Sequence, residues 1–426
     1  MSNLNFSYPW YSAILALIIL LVSPFTSQTL MYVVFVIQVY RLVKYDIVVN
    51  CIDMAFLISF AGLYRAPGGD SLLALFILLF DLRSLLRIKR MSAFSTITLM
   101  LTSVYLVFRL GGKITTLFFM IGGIMFLWIL SDAKSVFRDE KILYSFIGGT
   151  AVSSIYAWIF TNSEAIKAIV GIDREKSSIV VVDYTRFSGL FADPNYYSAV
   201  LIFSLIGIMI LRVNKKIKPT LGYVLAIIII LIGLLTISKS FFLMLVIILV
   251  YYTFSLFSRK RLAAGMGMVL LLSAFAVLAF SGSLSMLDNI MGRLTEATSS
   301  AELTTGRSII WENYLEYILS HPLVFLFGEG IDAPLLNMVG THNIFLESVY
   351  NIGIIGLLLI VTLLVSIFKV LGRDYPKENQ PILRFLPFIA FMALYFFLQG
   401  ITMTLTYLQL FIMLVCYFQS LTRYEE

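Results

Sequence analysis

The 426 residues are 60% hydrophobic and only 13% charged, with 35 Phe and 23 Tyr, a balance that excludes a sizeable soluble domain as the body of the chain. The 31 Lys and Arg exceed the 24 Asp and Glu to give a formal charge of +7. They lie between apolar runs and not in one basic patch, so the charge speaks for membrane topology and against a nucleic-acid partner. Cys51 and Cys416 both fall in or beside apolar segments, which argues against a disulfide framework.

The first apolar run, 9–22, has no cationic start and no small-x-small site after Val22, so it reads as a retained helix and not a signal peptide. Further spans are predicted near 28–44, 51–64, 71–82, 94–109, 115–130, 142–161, 195–212, 219–236, 239–257, 263–281, 343–368, 385–399 and 402–420. About 20 apolar residues in helix cross a hydrocarbon core of about 30 Å. These runs are apolar all round, whereas barrel strands alternate apolar and polar residues. The expected fold is therefore an all-α, polytopic transmembrane bundle of about 12–14 spans, the lower count applying if 51–64 and 71–82 form a re-entrant or tilted pair.

A cytoplasmic N-terminus puts most Lys and Arg on inner loops, among them Arg41, Lys44, Arg83, Arg87, Lys134 and Arg138, and it puts the C-terminus inside as well. Two outer connections are longer than geometry requires, 162–194 and 282–342, and long ordered loops are usually functional. The expected division is N-terminal helices over 1–161, a first long loop over 162–194, central helices over 195–281, a large loop over 282–342 and C-terminal helices over 343–426. The large loop reads as two short amphipathic helices. Leu284, Leu287, Ile290, Met291 and Leu294 form one apolar stripe, and Ile310, Tyr314, Tyr317 and Ile318 form another before His321-Pro322 ends it.

Ten basic residues remain on the outer side against the topological bias: Arg65, Arg109, Lys113, Lys167, Arg174, Lys176, Arg186, Lys239, Arg293 and Arg307. Solvation or snorkelling accounts for Lys167, Arg174 and Lys176 in a polar loop. Arg307 follows Gly306 at a predicted helix start, where the dipole disfavours a cation. Free N–H groups plus a guanidinium fork make a receptor for a phosphate oxygen; the alternative is an ordinary ion pair with Glu302. His342 stands where the large loop re-enters the membrane. There a neutral imidazole could take a proton from a hydroxyl, and a capping or interfacial role is the competing reading. Asp193-Pro194-Asn195 is an N-cap followed by proline at the first helical position. Lys239, in Thr236-Ile237-Ser238-Lys239-Ser240, marks the tip of a helical hairpin and could anchor to headgroups or touch a lipid phosphate. No P-loop, Rossmann fingerprint, paired Cys or His-x-x-x-His spacing occurs, so no cofactor and no metal is expected.

These segments resemble the bacterial O-antigen polymerases (Wzy type) and O-antigen ligases. The matching stretches are Arg186-Phe187-Ser188-Gly189-Leu190-Phe191 with Asp193-Pro194-Asn195, Ser238-Lys239-Ser240, Gly306-Arg307 with Trp311, His321-Pro322, Gly328-Glu329-Gly330, His342-Asn343 and Asn351-Ile352-Gly353-Ile354-Ile355-Gly356. The resemblance implies a membrane glycosyltransferase of the bacterial inner membrane with a periplasmic active site. It implies that Arg186, Arg307 and His342 are catalytic and that Lys239, Asn195, Asn343, Arg65 and Arg109 bind the diphosphate or sugar. The implied partners are an undecaprenyl-diphosphate-linked oligosaccharide and membrane lipid, with a chain-length regulator protein as a further candidate. Lys239 departs from the family's usual Arg, and lysine cannot make a bidentate fork. Polymerase is favoured over ligase; a lipid-linked oligosaccharide flippase is the reading from another class, and it would call for mid-membrane charges and internal repeats.

Overall fold

The computed structural model describes residues 9–67, 69–86, 92–111, 114–160, 162–170, 186–258, 306–331, 333–334, 336, 340–373, 381–396 and 404–421. Over these residues the protein is all α, with no strand and two isolated β-bridges, Arg65 with Ser71 and Leu110 with Ile331. The helices are α1 (Trp10–Thr26), α2 (Leu30–Lys44), α3 (Ile47–Leu57), α4 (Leu72–Leu85), α5 (Ala93–Phe108), α6 (Ile114–Asp132), α7 (Lys134–Arg138), α8 (Lys141–Ile159) and α9 (Glu164–Val170). They continue as α10 (Pro194–Val213), α11 (Pro219–Leu235), α12 (Lys239–Ser258), α13 (Arg307–Ser320), α14 (Pro322–Phe327), α15 (Ile344–Gly372), α16 (Pro381–Phe396) and α17 (Thr404–Ser420). Among the described residues four helices are long and apolar enough to cross a membrane, namely α6, α8, α10 and α15, and most of the rest are shorter apolar helices. The protein is an α-helical membrane protein.

Helix α10 is the axis of the bundle, buried along nearly its whole length between α8, α11, α12, α16 and α17. In lipid surroundings buried hydroxyls must be bonded internally, and those of the α10 serines are. Ser204 Oγ donates to Thr150 Oγ1 of α8 at 2.9 Å, and Thr150 Oγ1 lies 3.0 Å from Ser59 Oγ in the 3-10 turn that follows α3. Small polar residues of this kind let the three segments approach closely.

Several expectations need correction. The predicted span 51–64 is α3 plus a 3-10 turn, starting earlier at the Asp46 cap and ending at Phe60. The first long loop contains a short helix, α9, in which Lys167 pairs with Glu164 at 2.6 Å. Arg41 is not an inner-loop charge: it is fully buried in the last turn of α2, making a two-pronged pair with Asp53 of α3, both contacts at 2.7 Å. Its remaining nitrogen donates to Pro9 O at 2.8 Å and Ser12 Oγ at 2.5 Å. A buried guanidinium needs every donor used, and this one binds three helices at one level. The span at 263–281, the stripe Leu284 to Leu294, and Lys113, Arg174, Lys176, Arg293 and Glu302 lie outside the described residues.

The other correction concerns α15, predicted as one unbroken span. It is interrupted at Gly353, where φ is 67° and ψ 174°, a combination essentially restricted to glycine. The break orphans the carbonyls of Tyr350, Asn351 and Ile352. Glu329 N–H bonds to Tyr350 O at 2.7 Å, Gly330 N–H to Asn351 O at 2.9 Å, and Tyr105 Oη of α5 to Ile352 O at 2.7 Å. The Gly328-Glu329-Gly330 and Asn351-Ile352-Gly353 motifs are thus two halves of one interlock that docks α14 onto the broken helix.

Candidate functional site

The site is built at the bundle end where α10 and α12 begin. Asp193 caps α10, its Oδ1 accepting from Asn195 N–H at 2.7 Å, and Pro194 occupies the first turn, where its missing N–H costs nothing. This sets Asn195 within reach of Arg186 in the segment before the helix. Arg186 Nη2 donates to Asn195 Oδ1 at 3.1 Å and Arg186 Nε to Thr236 O at 3.0 Å. Ser238 Oγ donates to the same Asn195 oxygen at 2.8 Å. With two donors on one oxygen, the amide can only be turned one way, and Arg186 is held by rigid elements from two sides.

Lys239 opens α12 directly after Ser238. The turn that delivers it contains Ile237 at φ 47°, a strained conformation for a β-branched residue. His342 is likewise at φ 49°. Among the described residues three non-glycine residues have positive φ; these two stand shortly before Lys239 and directly before Asn343, and the third is Lys215. Such outliers collect where surrounding contacts force a geometry.

The large loop supplies the second half. Helix α13 starts at Arg307, after Gly306 at φ 80° and with no side-chain cap, as the sequence led one to expect. One turn on, and so on the same face, Trp311 Nε1 donates to Thr341 O at 2.7 Å while its ring stands edge-on to Phe396 of α16 at 5.0 Å. The fully buried Thr341 fixes the next residues: its Oγ1 accepts from Asn343 N–H at 3.2 Å and lies 3.3 Å from Glu347 Oε2. Asn343 caps α15, its Oδ1 accepting from Phe345 N–H at 3.0 Å and Leu346 N–H at 3.2 Å. His342 is therefore clamped between a bonded threonine and a bonded cap. Tyr317 fastens the far end of α13. Its phenol donates to Glu329 Oε1 at 2.5 Å, and that carboxylate raises the phenol's pKa to about 12. His321 stacks on Tyr317 at 4.3 Å where α13 hands over to α14, which is the helix-ending role its place before Pro322 suggested.

Tyr196, next to Asn195, joins the halves: it lies within electrostatic range of Tyr395, Asp193, Glu347 and Arg307. Arg186 and Asn195, with Lys239 directly after Ser238, thus form one cluster, and Arg307, His342 and Asn343 lie on the segments tied together by Trp311 and Thr341. Asn343 spends its side-chain oxygen on capping. Arg109 and Arg65 lie on other elements, after α5 and after α3. Arg109 donates through Nη2 to Gly328 O and accepts Ile331 N–H at 2.7 Å, while its Nε is buried without a partner. Arg65 lies in the turn between α3 and α4, half-buried, with burial lowering its pKa; nearby, Gly62 lets the Leu190 carbonyl approach so closely that a Cβ would sit 1.8 Å from it. Tyr196, Trp311, Thr341 and Glu347 were not foreseen as site residues. Trp311 stood in the family-like stretch with Gly306-Arg307, and Glu347 is a carboxylate in the first turn of the helix that His342 precedes.

Fold and site together define a polytopic α-helical membrane protein. Residues 222–361, less than half of the chain, match the family model described as O-Antigen ligase, the match expected of a member of the O-antigen polymerase/ligase family. The matched stretch holds Lys239, Arg307, His342 and Asn343, while Arg186 and Asn195 precede it. No curated protein and no solved structure matches the chain.

Proposed function

We propose that the protein is a glycosyltransferase that polymerises undecaprenyl-diphosphate-linked oligosaccharide repeat units into a surface polysaccharide. The acceptor is a sugar hydroxyl of a second lipid-linked unit. Its oxygen forms a bond to C1 of the donor sugar, the bond from C1 to the diphosphate oxygen breaks, and the diphosphate leaves with the electron pair. The hydroxyl proton passes to the His342 imidazole. Arg186 and Arg307 take up the charge that grows on the leaving diphosphate, and Lys239 adds a point charge. The lipid carrier holds the leaving group at the membrane surface, so the protein mainly positions and neutralises.

The observations that support this reading are two locked clusters: Arg186 held by Asn195 and Thr236, and the His342 backbone held by Thr341 and Asn343, with Thr341 tied to the Arg307 helix through Trp311. In this reading the site faces the periplasm from the bacterial inner membrane, as the distribution of Lys and Arg expects, and a chain-length regulator is a partner. A second reading, transfer of the finished glycan to lipid A core, is favoured by the family description, O-Antigen ligase. The test is to incubate the purified protein with lipid-linked repeat units, with and without lipid A core. A product ladder from the units alone supports the polymerase, and transfer only with core supports the ligase.

A further inference from the structure

At the end of the bundle away from that site, α1 and α8 part company. They touch near the site end, where Tyr156 Oη donates to Leu21 O at 2.7 Å and Phe25 packs on Phe160 at 4.8 Å. Towards Trp10 and Lys141 they splay, leaving a cavity of about 580 Å3 between α1, α2, α3 and α8, within the range of about 300–1,000 Å3 typical of small-molecule sites. Its floor is apolar and buried, formed by Leu20, Val34, Ile52 and Leu57. Its rim is exposed and consists of Trp10, Ile14, Lys141 and Tyr144. Trp10 to Leu20 is ten residues of helix, so the cleft reaches roughly 15 Å into the bundle.

Two observations say what chemistry it takes. Gln38 lines the cleft and is only 4% exposed, yet its Oε1 has no hydrogen-bond partner. A buried amide left unpaired costs roughly 1–3 kcal/mol, so the cleft is built for an occupant that is polar at this depth. Asp53, the carboxylate on the lining, is already neutralised by Arg41, and the Lys141 ammonium makes no ion pair among the described residues. The net charge offered to an occupant is therefore positive, at the rim. Trp, Tyr and Lys on a rim above an apolar floor are the residues of a membrane interface, and basic pockets between helices on the cytoplasmic side suit anionic headgroups.

We propose that this cleft binds one anionic phospholipid of the cytoplasmic leaflet. Its phosphate meets Lys141, its glycerol and ester groups meet the Gln38 amide, and one acyl chain runs along the floor towards Leu20 and Val34. The aromatic closure at Phe25, Tyr156 and Phe160 ends the cleft, so the occupant enters sideways and only from this end. Arg41 and Asp53 pin α1, α2 and α3 together near the rim, so the bound lipid fills the remaining gap to α8.

Gly148 provides the test, because a Cβ there meets nothing within 4 Å and would project into open space on the cleft wall. Delipidated full-length protein in mild detergent is mixed in turn with phosphatidylglycerol, phosphatidylcholine and undecaprenyl phosphate, and retained lipid is counted by native mass spectrometry. The wild type is expected to keep one phosphatidylglycerol per chain in preference to the other two. Gly148→Phe, which blocks the cleft, is expected to lose it. Lys141→Gln, an exposed change that leaves the fold alone, is expected to bind about fivefold more weakly, the value of one Lys at an anionic surface. Equal retention of phosphatidylcholine, preference for undecaprenyl phosphate, or unchanged binding by Lys141→Gln overturns the proposal.

Discussion

Replacing Gly353 by alanine tests the interlock between α14 and α15. The residue sits at φ 67° and ψ 174°, and a Cβ there would lie 2.3 Å from Leu326 O and 2.5 Å from Leu326 C. Both obstacles are backbone, so no side chain can swing aside. Either the helix straightens or the Leu326 to Gly330 segment is expelled, and both lose the bonds from Glu329, Gly330 and Tyr105 to the freed carbonyls. Three hydrogen bonds at about 1 kcal/mol each, plus about 1–3 kcal/mol of backbone strain, give a loss of roughly 4–6 kcal/mol. The measurement is thermal unfolding in detergent together with polysaccharide chain formation in cells. Gly372→Ala serves as the comparison, since its Cβ meets nothing within 4 Å and the change should be neutral or raise stability by up to about 1 kcal/mol. If Gly353→Ala melts with the wild type and stays active, the break is not held by these contacts and the reasoning fails.

Arg186→Lys should keep the charge but lose the fork that spans Asn195 and Thr236. A fall of about 10²–10³ in turnover at unchanged protein level is expected, read as release of undecaprenyl diphosphate. His342→Ala should cost about 10²–10⁴ in turnover with donor-lipid affinity little changed, since a general base acts in the transition state; a weakened affinity and full turnover would instead mark a binding residue. Trp311→Phe should free the 341–343 segment from α13 by removing the bond to Thr341 O, lowering turnover while leaving the melting temperature nearly constant. Arg41→Ala should destabilise by about 3–5 kcal/mol because Asp53 is left buried and uncompensated, and Arg41→Met with Asp53→Leu should restore most of it, as followed by thermal melts.

The helix starts were legible because their signals are local. Asp193-Pro194, Gly306-Arg307 and Asn343 each announce a turn by its own chemistry, and each begins a helix where expected. The apolar runs gave the bundle, since in lipid the backbone must satisfy itself. What stayed hidden depends on distant residues. Gly353 lies in an apolar run in which a single glycine is tolerated, and only the arrival of Glu329 and Gly330 makes the break stable. Arg41, close to Lys44, reads as a loop anchor until Asp53, on the next helix, is seen beside it. Tyr196 looked like one more aromatic at the start of a span, and its electrostatic reach to Arg307 comes from packing that no spacing encodes. Arg65 and Arg109 share the expected outer-side placement of Arg186 and Arg307, an expectation that concerns depth and leaves position around the bundle open.

The most direct measurement of the central claim follows release of undecaprenyl diphosphate by purified wild-type protein and by Arg307→Ala, given lipid-linked repeat units as both donor and acceptor. Release matched one for one by new glycosidic bonds, and reduced at least a hundredfold in the variant, is the predicted result. Equal release by the two proteins, or none by either with donor and with either acceptor present, would contradict the account.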